Sequence, residues 1–265
     1  MKKVALHNLG CKVNAYETEA MQEMLEKEGY EIVPFKEGAD IYIINTCTVT
    51  NMADRKSRQM LHRAKKLNPD AIVVATGCYV QAQEENGKRD ECIDIIIGNN
   101  KKKDLIEILE NHIEKSVIDI NHTKEYEEMH LSKTAEHTRA YIKVQDGCNQ
   151  FCTYCIIPKV RGNFRSIPME ELLKEARELA EGGVRELILV AQETTLYGMD
   201  LYGKKTLPIL LKELCKIEDL KWIRLLYCYP EEITEELIQV IKEEPKICHY
   251  LDIPISMAGS SLIPY

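Results

Sequence analysis

Short, unbroken apolar runs alternate with helical patterns along this chain, and this alternation most limits the folds open to it. In the first half the apolar runs lie at positions 4–9, 41–45, 71–77 and 93–98, with helical patterns at 17–29, 55–68 and 102–115. Strands that read as continuous apolar runs are typical of a parallel sheet covered by helices on both faces. The pattern predicts a doubly wound α/β domain over residues 1–115.

A second alternating series follows a polar stretch, residues 116–138, which we interpret as a linker. Its predicted strands lie at 141–146, 185–192, 222–230 and 250–255, and its predicted helices at 168–183, 207–218 and 233–244. Repeated βα units of this kind favour a parallel sheet or a (β/α) barrel. Residues 139–265 are therefore predicted to form a second domain.

Composition and charge exclude several classes of protein. No apolar run approaches the roughly 20 residues that a membrane-spanning helix needs. The start of the chain, MKKVALHNLGCKVN, lacks the cleavage pattern of a signal peptide, so we expect a cytoplasmic location. A net charge of −8 means that a nucleic-acid partner would need a local basic patch. Ten cysteines in such a chain point to metal binding or catalysis and not to disulfides.

Three cysteines each follow a predicted strand of the first domain: Cys11 in LGCKVN, Cys47 in NTCTVT and Cys78 in TGCYVQ. Ligands of open parallel sheets bind in the crevice outside the carboxyl ends of the strands. We therefore expect the three thiols to converge and to hold a metal cluster. Three buried structural cysteines are the alternative, because free cysteine is often buried.

Three further cysteines, Cys148, Cys152 and Cys155, have the spacing CxxxCxxC within DGCNQFCTYC, directly after strand 141–146. Structural zinc sites usually take four ligands, and no neighbouring Cys or His completes this set. Soft thiolates also select iron–sulfur clusters. A four-iron cluster held by three cysteines would leave one iron open to a ligand from outside the protein. The spacing alone leaves both interpretations open.

Both triplets, with their flanking residues, resemble the radical S-adenosylmethionine (SAM) methylthiotransferase family. The resemblance is carried by LGCKVNAYETE, INTCTVTNMADRKSRQ, ATGCYVQ and GCNQFCTYCIIPKVRGNFRS. It implies two [4Fe–4S] clusters, one on each triplet, with SAM bound to the open iron of the second. It also implies a transferase that needs an electron donor and replaces a substrate hydrogen with a methylthio group.

Two branches of that family are represented. Up to about Cys155, GCKVN, TCTVTNMADRKSRQ and HTRAYIKVQDGC resemble the tRNA threonylcarbamoyladenosine methylthiotransferases (MtaB type). After it, RGNFRSIPMEELLKEA, LVAQETTLYGMDLYGKKTLP and WIRLLYCYPEEIT resemble the ribosomal-protein methylthiotransferases (RimO type). We predict methylthiolation of N6-threonylcarbamoyladenosine in tRNA. The alternatives are methylthiolation of an aspartate of a small-subunit ribosomal protein, and a non-catalytic zinc-binding module associated with RNA.

The family's later barrel units and its closing RNA-binding domain have no counterpart after SMAGSSLIPY. We therefore expect residues 139–265 to form an incomplete radical SAM (β/α) barrel. A partial barrel leaves strand edges unpaired. We expect the chain as it stands to have weak or no turnover.

Other residues are candidates for contacts to SAM or to a carboxylate. The resemblance places an aromatic beside the adenine and a glycine turn near the methionine end of SAM, and residues at the end of strand 185–192 face the predicted site mouth. These SAM candidates are Tyr154, Gly182, Gly183, Gln192 and Glu193. A packing aromatic and a helix C-cap are the alternatives for the tyrosine and the glycines. Arg161 and Arg165 are candidates for binding a substrate or cofactor carboxylate.

A basic helical segment follows Cys47 and includes Arg55, Lys56, Arg58 and Arg63. Such a run is either a solvated helix face or a patch that contacts RNA phosphates. The cysteines outside both triplets are predicted to be structural thiols: Cys92, Cys215, Cys228 and Cys248.

Overall fold

A computed structural model of the chain describes residues 1–83, 90–134 and 138–254. The chain divides into two compact units: unit 1 comprises Met1–His130 and Asn149–Asn163, and unit 2 comprises Leu131–Cys148 and Phe164–Tyr265. This division passes through the second cysteine triplet. Cys148 belongs to unit 2, whereas Cys152 and Cys155 belong to unit 1.

Unit 1 is built on a parallel sheet with the strand order β2-β1-β3-β4-β5-β6. The strands are β1 (Lys3–Asn8), β2 (Glu31–Ile32), β3 (Ile41–Thr46), β4 (Ile72–Gly77), β5 (Ile95–Ile97) and β6 (Lys115–Ser116). Each neighbouring pair is parallel. The central strand β3 is buried along its whole length, as its unbroken apolar sequence predicts.

Helices cover both faces of this sheet. They are α1 (Lys12–Lys27), α2 (Asn51–Leu67), α3 (Cys78–Gln83), α4 (Leu105–Glu110) and α5 (Ile157–Arg161). Leu61 of α2 lies in the same buried cluster as Ile44 of β3. The next strand residue, Asn45, donates a hydrogen bond to Thr18 of α1. Because successive strand residues point to opposite faces, α1 and α2 lie on opposite sides. The predicted doubly wound parallel sheet is confirmed.

Helix boundaries of unit 1 differ from the prediction. Helix α2 begins at Asn51 and not at residue 55, and two further differences have a local reason. Helix α1 begins at Lys12 and not at residue 17, because its first turns bury the polar residues Asn14 and Glu17, which hide the apolar period. The helix predicted at 102–115 is a short 3₁₀ turn followed by α4, which ends at Glu110. His112, with φ 51°, adopts the left-handed conformation that a continuing helix cannot contain.

Unit 2 contains a parallel sheet in the order β11-β10-β7 and an antiparallel pair, β8 with β9. The strands are β7 (Arg139–Lys143), β8 (Gln145–Asp146), β9 (Arg165–Ser166), β10 (Glu186–Val190) and β11 (Trp222–Leu225). The helices are α6 (Met169–Glu181), α7 (Met199–Tyr202), α8 (Leu207–Cys215) and α9 (Glu235–Glu243). Across the described residues of unit 2 these βα units form an open sheet, which agrees with the predicted partial barrel.

The strand predicted at 250–255 is wrong over residues 250–254, which form no strand, and residue 255 lies outside the described residues. The segment is joined to a neighbouring strand end by a backbone hydrogen bond from Cys228 N–H to Asp252 O at 2.9 Å. Pro254 has no N–H to donate to a ladder.

Throughout the described ranges, the helices are too short or too polar to cross a membrane.

Candidate functional site

The three N-terminal cysteines lie at the carboxyl ends of three neighbouring strands. Cys11 caps α1 after β1, Cys47 directly follows β3, and Cys78 begins α3 after β4. Strands β1, β3 and β4 are adjacent and parallel, so their carboxyl ends share one edge. Cys78 is close enough to both other thiols to act on their ionisation. The structure therefore brings together the three cysteines that the sequence analysis grouped.

Two glycines make room for these cysteines. Gly10 has φ +96°, and a Cβ on it would lie 2.6 Å from Cys47 Sγ. Gly77 has φ +94°, and a Cβ on it would lie 2.5 Å from the backbone oxygen of Thr46. Residues other than glycine rarely adopt this backbone conformation. Glycine at both positions lets the strand ends approach closely enough for the thiols to meet.

Two buried polar side chains hold the cysteine loops, and sequence reasoning missed both. The Asn14 amide donates to Leu9 O at 2.8 Å and to Thr46 O at 3.0 Å, which joins the residues ahead of Cys11 and Cys47. Ser57 accepts from Cys47 N–H at 3.0 Å and donates to Cys47 O at 2.8 Å. Polar residues on the sheet-facing side of α1 and α2 were the signal that could have revealed them.

We expect Ser57→Ala to lower the free energy of unfolding of the metal-free protein by about 1–3 kcal/mol, because both backbone groups of buried Cys47 lose their partner. Urea denaturation followed by circular dichroism measures this. Gln59→Ala, at an exposed position of the same helix, is the control and should change little. Equal losses in the two variants would contradict the role given to Ser57.

Two thiols of this site, Cys11 and Cys47, have pKa values raised above that of a free cysteine. Burial raises the pKa of Cys11 to about 11, while the nearby Arg161 guanidinium opposes the rise. Burial also raises the pKa of Cys47. Metal binding therefore has to displace protons here, so metal affinity should increase with pH. A set of three soft sulfur donors suits an iron–sulfur cluster, so the residues present fit that group.

Arg161 and Arg165 are buried against protein carboxylates. Arg161, 1% exposed, pairs with Glu17, and its Nε donates to Cys78 Sγ at 3.4 Å. In unit 2, Arg165 Nη2 lies 3.8 Å from Asp146 Oδ2. Both arginines were predicted to bind a carboxylate of a substrate or cofactor. In the structure each carboxylate partner belongs to the chain itself.

The part of the second triplet in unit 1 forms a tight turn. Cys155 N–H donates to Cys152 O at 2.9 Å, and burial raises the pKa of Cys155. Phe151 is in the left-handed conformation, with φ 47°. Phe151 and Tyr154 are each 65% exposed, so Tyr154 is not a packing aromatic of unit 1. An exposed aromatic ring offers a flat apolar face on which a ligand ring can stack.

In unit 2, Gln192 supports the turn that leads to Cys148. Gly147 N–H donates to Gln192 Oε1 at 2.7 Å. The Nε2 group of the same side chain is buried and has no hydrogen-bond partner among the described residues. A buried amide donor without a partner is costly, so this group is a candidate ligand contact.

The carboxylate of Glu193 binds the backbone of the turn after β10. It accepts hydrogen bonds from Thr195 N–H at 2.7 Å and from Leu196 N–H at 3.0 Å. Burial raises its pKa. These contacts give Glu193 a structural task at the carboxyl end of the strand.

Gly182 and Gly183 end α6 in a Schellman motif. Gly183 N–H donates to Ala180 O at 3.1 Å, and Val184 N–H donates to Leu179 O at 3.0 Å. Gly183 has φ +106°, the left-handed conformation that this motif requires. The motif lies before β10, at its amino end. It accounts for Gly183 without a ligand, whereas Gly182 has the ordinary right-handed conformation of a helix end.

The exposed face of α2 forms a basic groove. Its cavity of about 510 Å³ is lined by Arg55, Arg58, Gln59, His62, Arg63 and Lys66. Lys56 is exposed but is not part of this lining. One face of α2 thus holds Cys47 through Ser57, and the other collects positive charge. We call this surface the α2 groove.

Of the other cysteines, Cys92 and Cys228 are buried, and Cys215 and Cys248 are partly buried. Burial raises the pKa of Cys92 to about 12, of Cys215 to about 11 and of Cys228 to about 12. Burial also raises the pKa of Cys248. Cys92 lies close to Asp90 and His62, and Asp90 accepts a hydrogen bond from Cys92 N–H at 3.2 Å. Thiols with raised pKa values stay protonated at neutral pH, as structural cysteines do.

Two known protein families match this chain. Residues 3–98 match the uncharacterized protein family UPF0004, and residues 142–259 match the radical SAM superfamily. This pair of matches defines the class: a radical SAM protein with a UPF0004 domain in front.

Curated relatives narrow the class. The ribosomal protein uS12 methylthiotransferases RimO of Lachnoclostridium phytofermentans and Clostridioides difficile are 40% and 42% identical to this chain, over 98% and 99% of its length. The threonylcarbamoyladenosine tRNA methylthiotransferase MtaB of Bacillus subtilis is 38% identical over 99%. The chain spans 61%, 61% and 59% of the length of these relatives. Along nearly its whole length the chain is therefore similar to radical SAM methylthiotransferases, as the motifs indicated.

Solved structures support the fold. The radical SAM methyltransferase TsrM of Kitasatospora setae superposes with a TM-score of 0.58 at 15% identity, covering 96% of this chain and 59% of TsrM. The cobalamin-dependent radical SAM enzyme OxsB superposes with a TM-score of 0.53 at 13% identity, covering 91% of this chain and 41% of OxsB. At this identity the likeness concerns the fold alone.

Proposed function

We propose that this chain binds two [4Fe–4S] clusters and SAM and transfers a methylthio group to a substrate C–H position. The observation that carries the proposal is the convergence of Cys11, Cys47 and Cys78 at one sheet edge, in a chain that also contains the CxxxCxxC triplet. The first set would hold one cluster. Cys148, Cys152 and Cys155 would hold the other and leave one iron for SAM.

When bound, this second cluster with SAM supplies a carbon-centred radical once an electron donor reduces it. The chain's own residues bind and orient. Gln192 holds the Gly147 turn ahead of Cys148, and its buried Nε2 group is left to donate to a ligand. The exposed ring of Tyr154 would stack on a flat group of that ligand.

A ribosomal protein is the substrate class that we propose first. From sequence, threonylcarbamoyladenosine in tRNA was the predicted substrate and the ribosomal protein was the alternative. The relatives at 40% and 42% identity carry the ribosomal-protein name, whereas the tRNA-modifying relative stands at 38%. The names of these relatives favour protein uS12. The alternative predicted from sequence was an aspartate of a small-subunit ribosomal protein.

The α2 groove favours tRNA as a second candidate. Four of its lining residues are arginine or lysine, on a helix that also holds Cys47. Guanidinium and ammonium groups are the usual partners of RNA phosphates. A phosphate backbone seated in this groove would therefore lie on the helix that supports the N-terminal cysteine site.

Charge reversal tests the groove. We expect Arg55→Glu, Arg58→Glu and Arg63→Glu together to weaken tRNA binding and to reduce the slope of log K against log salt by about 2–3. Fluorescence anisotropy with labelled tRNA at several salt concentrations measures both. Lys212→Glu, Lys216→Glu and Lys221→Glu, exposed positions of unit 2, give a control with the same change in charge. Unchanged affinity and slope in the groove variant would remove the support for tRNA.

Mass analysis tests the function itself. The reconstituted chain, in excess over substrate, is incubated anaerobically with SAM, a reductant and either protein uS12 or tRNA. We expect uS12 to gain the mass of one methylthio group in place of a hydrogen. A gain confined to tRNA would reverse the order of the two substrates. A colourless protein that retains zinc and takes up no iron would overturn the proposal in favour of the zinc-binding module.

A further inference from the structure

Arg161 is a buried cation that reaches the N-terminal cysteine site from the last turn of α5. Its side chain is 1% exposed, and its Nε donates to Cys78 Sγ at 3.4 Å. Its Nη2 donates to Asn14 Oδ1 at 2.6 Å, and the guanidinium binds both carboxylate oxygens of Glu17. Contacts on three sides hold the guanidinium plane in one orientation, with one N–H directed at sulfur.

A second buried cation balances the charge of this cluster of side chains. Lys102, fully buried, lies 3.2 Å from Glu17 Oε2 and donates to Asn99 Oδ1 at 2.7 Å. Glu127 lies 4.0 Å from the same ammonium group. Two cations and two carboxylates therefore neutralise each other inside unit 1. Among the described residues the two cations differ in one contact: Arg161 donates to a cysteine sulfur as well as to oxygen atoms, whereas Lys102 binds oxygen atoms.

Helix α5 is docked directly against Cys78. Asn99 Nδ2 donates to Val160 O at 2.7 Å and lies 3.8 Å from Cys78 Sγ. Val160 also belongs to a small buried apolar cluster with Cys78 and Ala82. The backbone position of Arg161 is thus set by the same residues that surround the sulfur. This docking makes the Nε–sulfur contact part of the packed core of unit 1.

A hydrogen bond to a ligand sulfur has a defined effect on an iron–sulfur cluster. Hydrogen bonds to the sulfurs and the local charge help to set the reduction potential. An N–H donor and a positive charge stabilise the reduced, more negative cluster and so raise that potential. Residues just outside the ligand shell also orient the ligands themselves.

We propose that Arg161 is a positioning residue for the N-terminal cluster: it orients Cys78 and Asn14, and its hydrogen bond to Cys78 Sγ raises the reduction potential of the cluster. This inference rests on the proposed function, since it requires a cluster on Cys11, Cys47 and Cys78. The same short segment, Asn149–Asn163 of unit 1, then carries two ligands of one cluster and a hydrogen-bond donor to the other.

The test uses the full chain with Cys148, Cys152 and Cys155 replaced by alanine, so that only the N-terminal cysteines remain to bind a cluster. After anaerobic reconstitution, iron is counted and the potential is measured by redox titration followed by electron paramagnetic resonance. Arg161→Met removes the donor. Lys102→Met is the matched control, because it removes a cation of the same buried set that binds oxygen and not sulfur.

We expect Arg161→Met to shift the potential to more negative values, and Lys102→Met to shift it clearly less. The double variant Glu17→Gln, Arg161→Met keeps the buried set neutral and protects folding, and it should show a smaller negative shift, because only the hydrogen bond to sulfur is lost. If the parent protein, which lacks Cys148, Cys152 and Cys155, holds iron and the potential is unchanged in both Arg161 variants, the inference about Arg161 is wrong. The proposed function would not be affected by that result. A Lys102→Met shift as large as that of Arg161→Met would also overturn the inference about Arg161. No iron in the parent protein would instead defeat the proposed function.

Discussion

Replacing Cys11, Cys47 and Cys78 with alanine is expected to halve the iron and sulfide that the reconstituted protein holds, from about eight to about four iron atoms per chain. The three thiols meet at the carboxyl ends of β1, β3 and β4, so together they form one site. The broad absorbance of the clusters near 400 nm should fall in proportion. Iron analysis on anaerobically prepared protein provides the measurement.

A matched control removes the same number of thiols elsewhere. Cys92, Cys215 and Cys248 lie outside both triplets, and burial raises the pKa of each. Their replacement with alanine should leave the iron content unchanged. If this control lost as much iron as the triple replacement at the sheet edge, the assignment of the N-terminal cluster to Cys11, Cys47 and Cys78 would be wrong.

Glu17→Gln is expected to lower the free energy of unfolding of the metal-free protein by about 3–5 kcal/mol. The glutamate is fully buried and contacts both Arg161 and Lys102, so its replacement removes a paired negative charge from two buried cations. Breaking a buried ion pair by removing one partner costs this much because a charge stays buried without compensation. Denaturation of the metal-free protein in urea measures the loss.

The control for this prediction lies on the same helix. Glu23 is 2% exposed, but its ion-pair partner Lys27 is 61% exposed and remains solvated when the pair is broken. We therefore expect Glu23→Gln to cost much less than Glu17→Gln. The double variant Glu17→Gln, Arg161→Met should recover part of the loss, since it restores a neutral buried set. A single-variant loss below about 1 kcal/mol at Glu17 would contradict the charge balance described here.

The sheet of unit 1 could be predicted from sequence because its strands are continuous apolar runs, and Tyr42 to Ile44 of β3 are buried on both faces. The convergence of the cysteines followed from the same pattern, because each lies one position beyond a strand or a glycine turn. Helix α1 was placed too late because Asn14 and Glu17 are polar residues on its buried face.

The network around the site could not be predicted, because it joins residues far apart in sequence. Glu17 and Arg161 are 144 positions apart, and Asn99 and Val160 are 61 positions apart. Local patterns carry no information about such pairs. Arg161 was therefore predicted to bind a carboxylate of a substrate or cofactor. In the structure the carboxylate that it binds is that of Glu17. Gly182 and Gly183 left two interpretations open, and the hydrogen bonds that end α6 supply a reason for Gly183.

Cleavage of SAM is the most direct test of the central claim, that two cysteine triplets hold two clusters of which one activates SAM. The reconstituted chain is reduced anaerobically with SAM, and 5′-deoxyadenosine is quantified by chromatography. The account predicts this product in the unaltered chain, its persistence when Cys11, Cys47 and Cys78 are replaced with alanine, and its loss when Cys148, Cys152 and Cys155 are replaced. No 5′-deoxyadenosine from the unaltered chain, or its formation without the second triplet, would contradict the account.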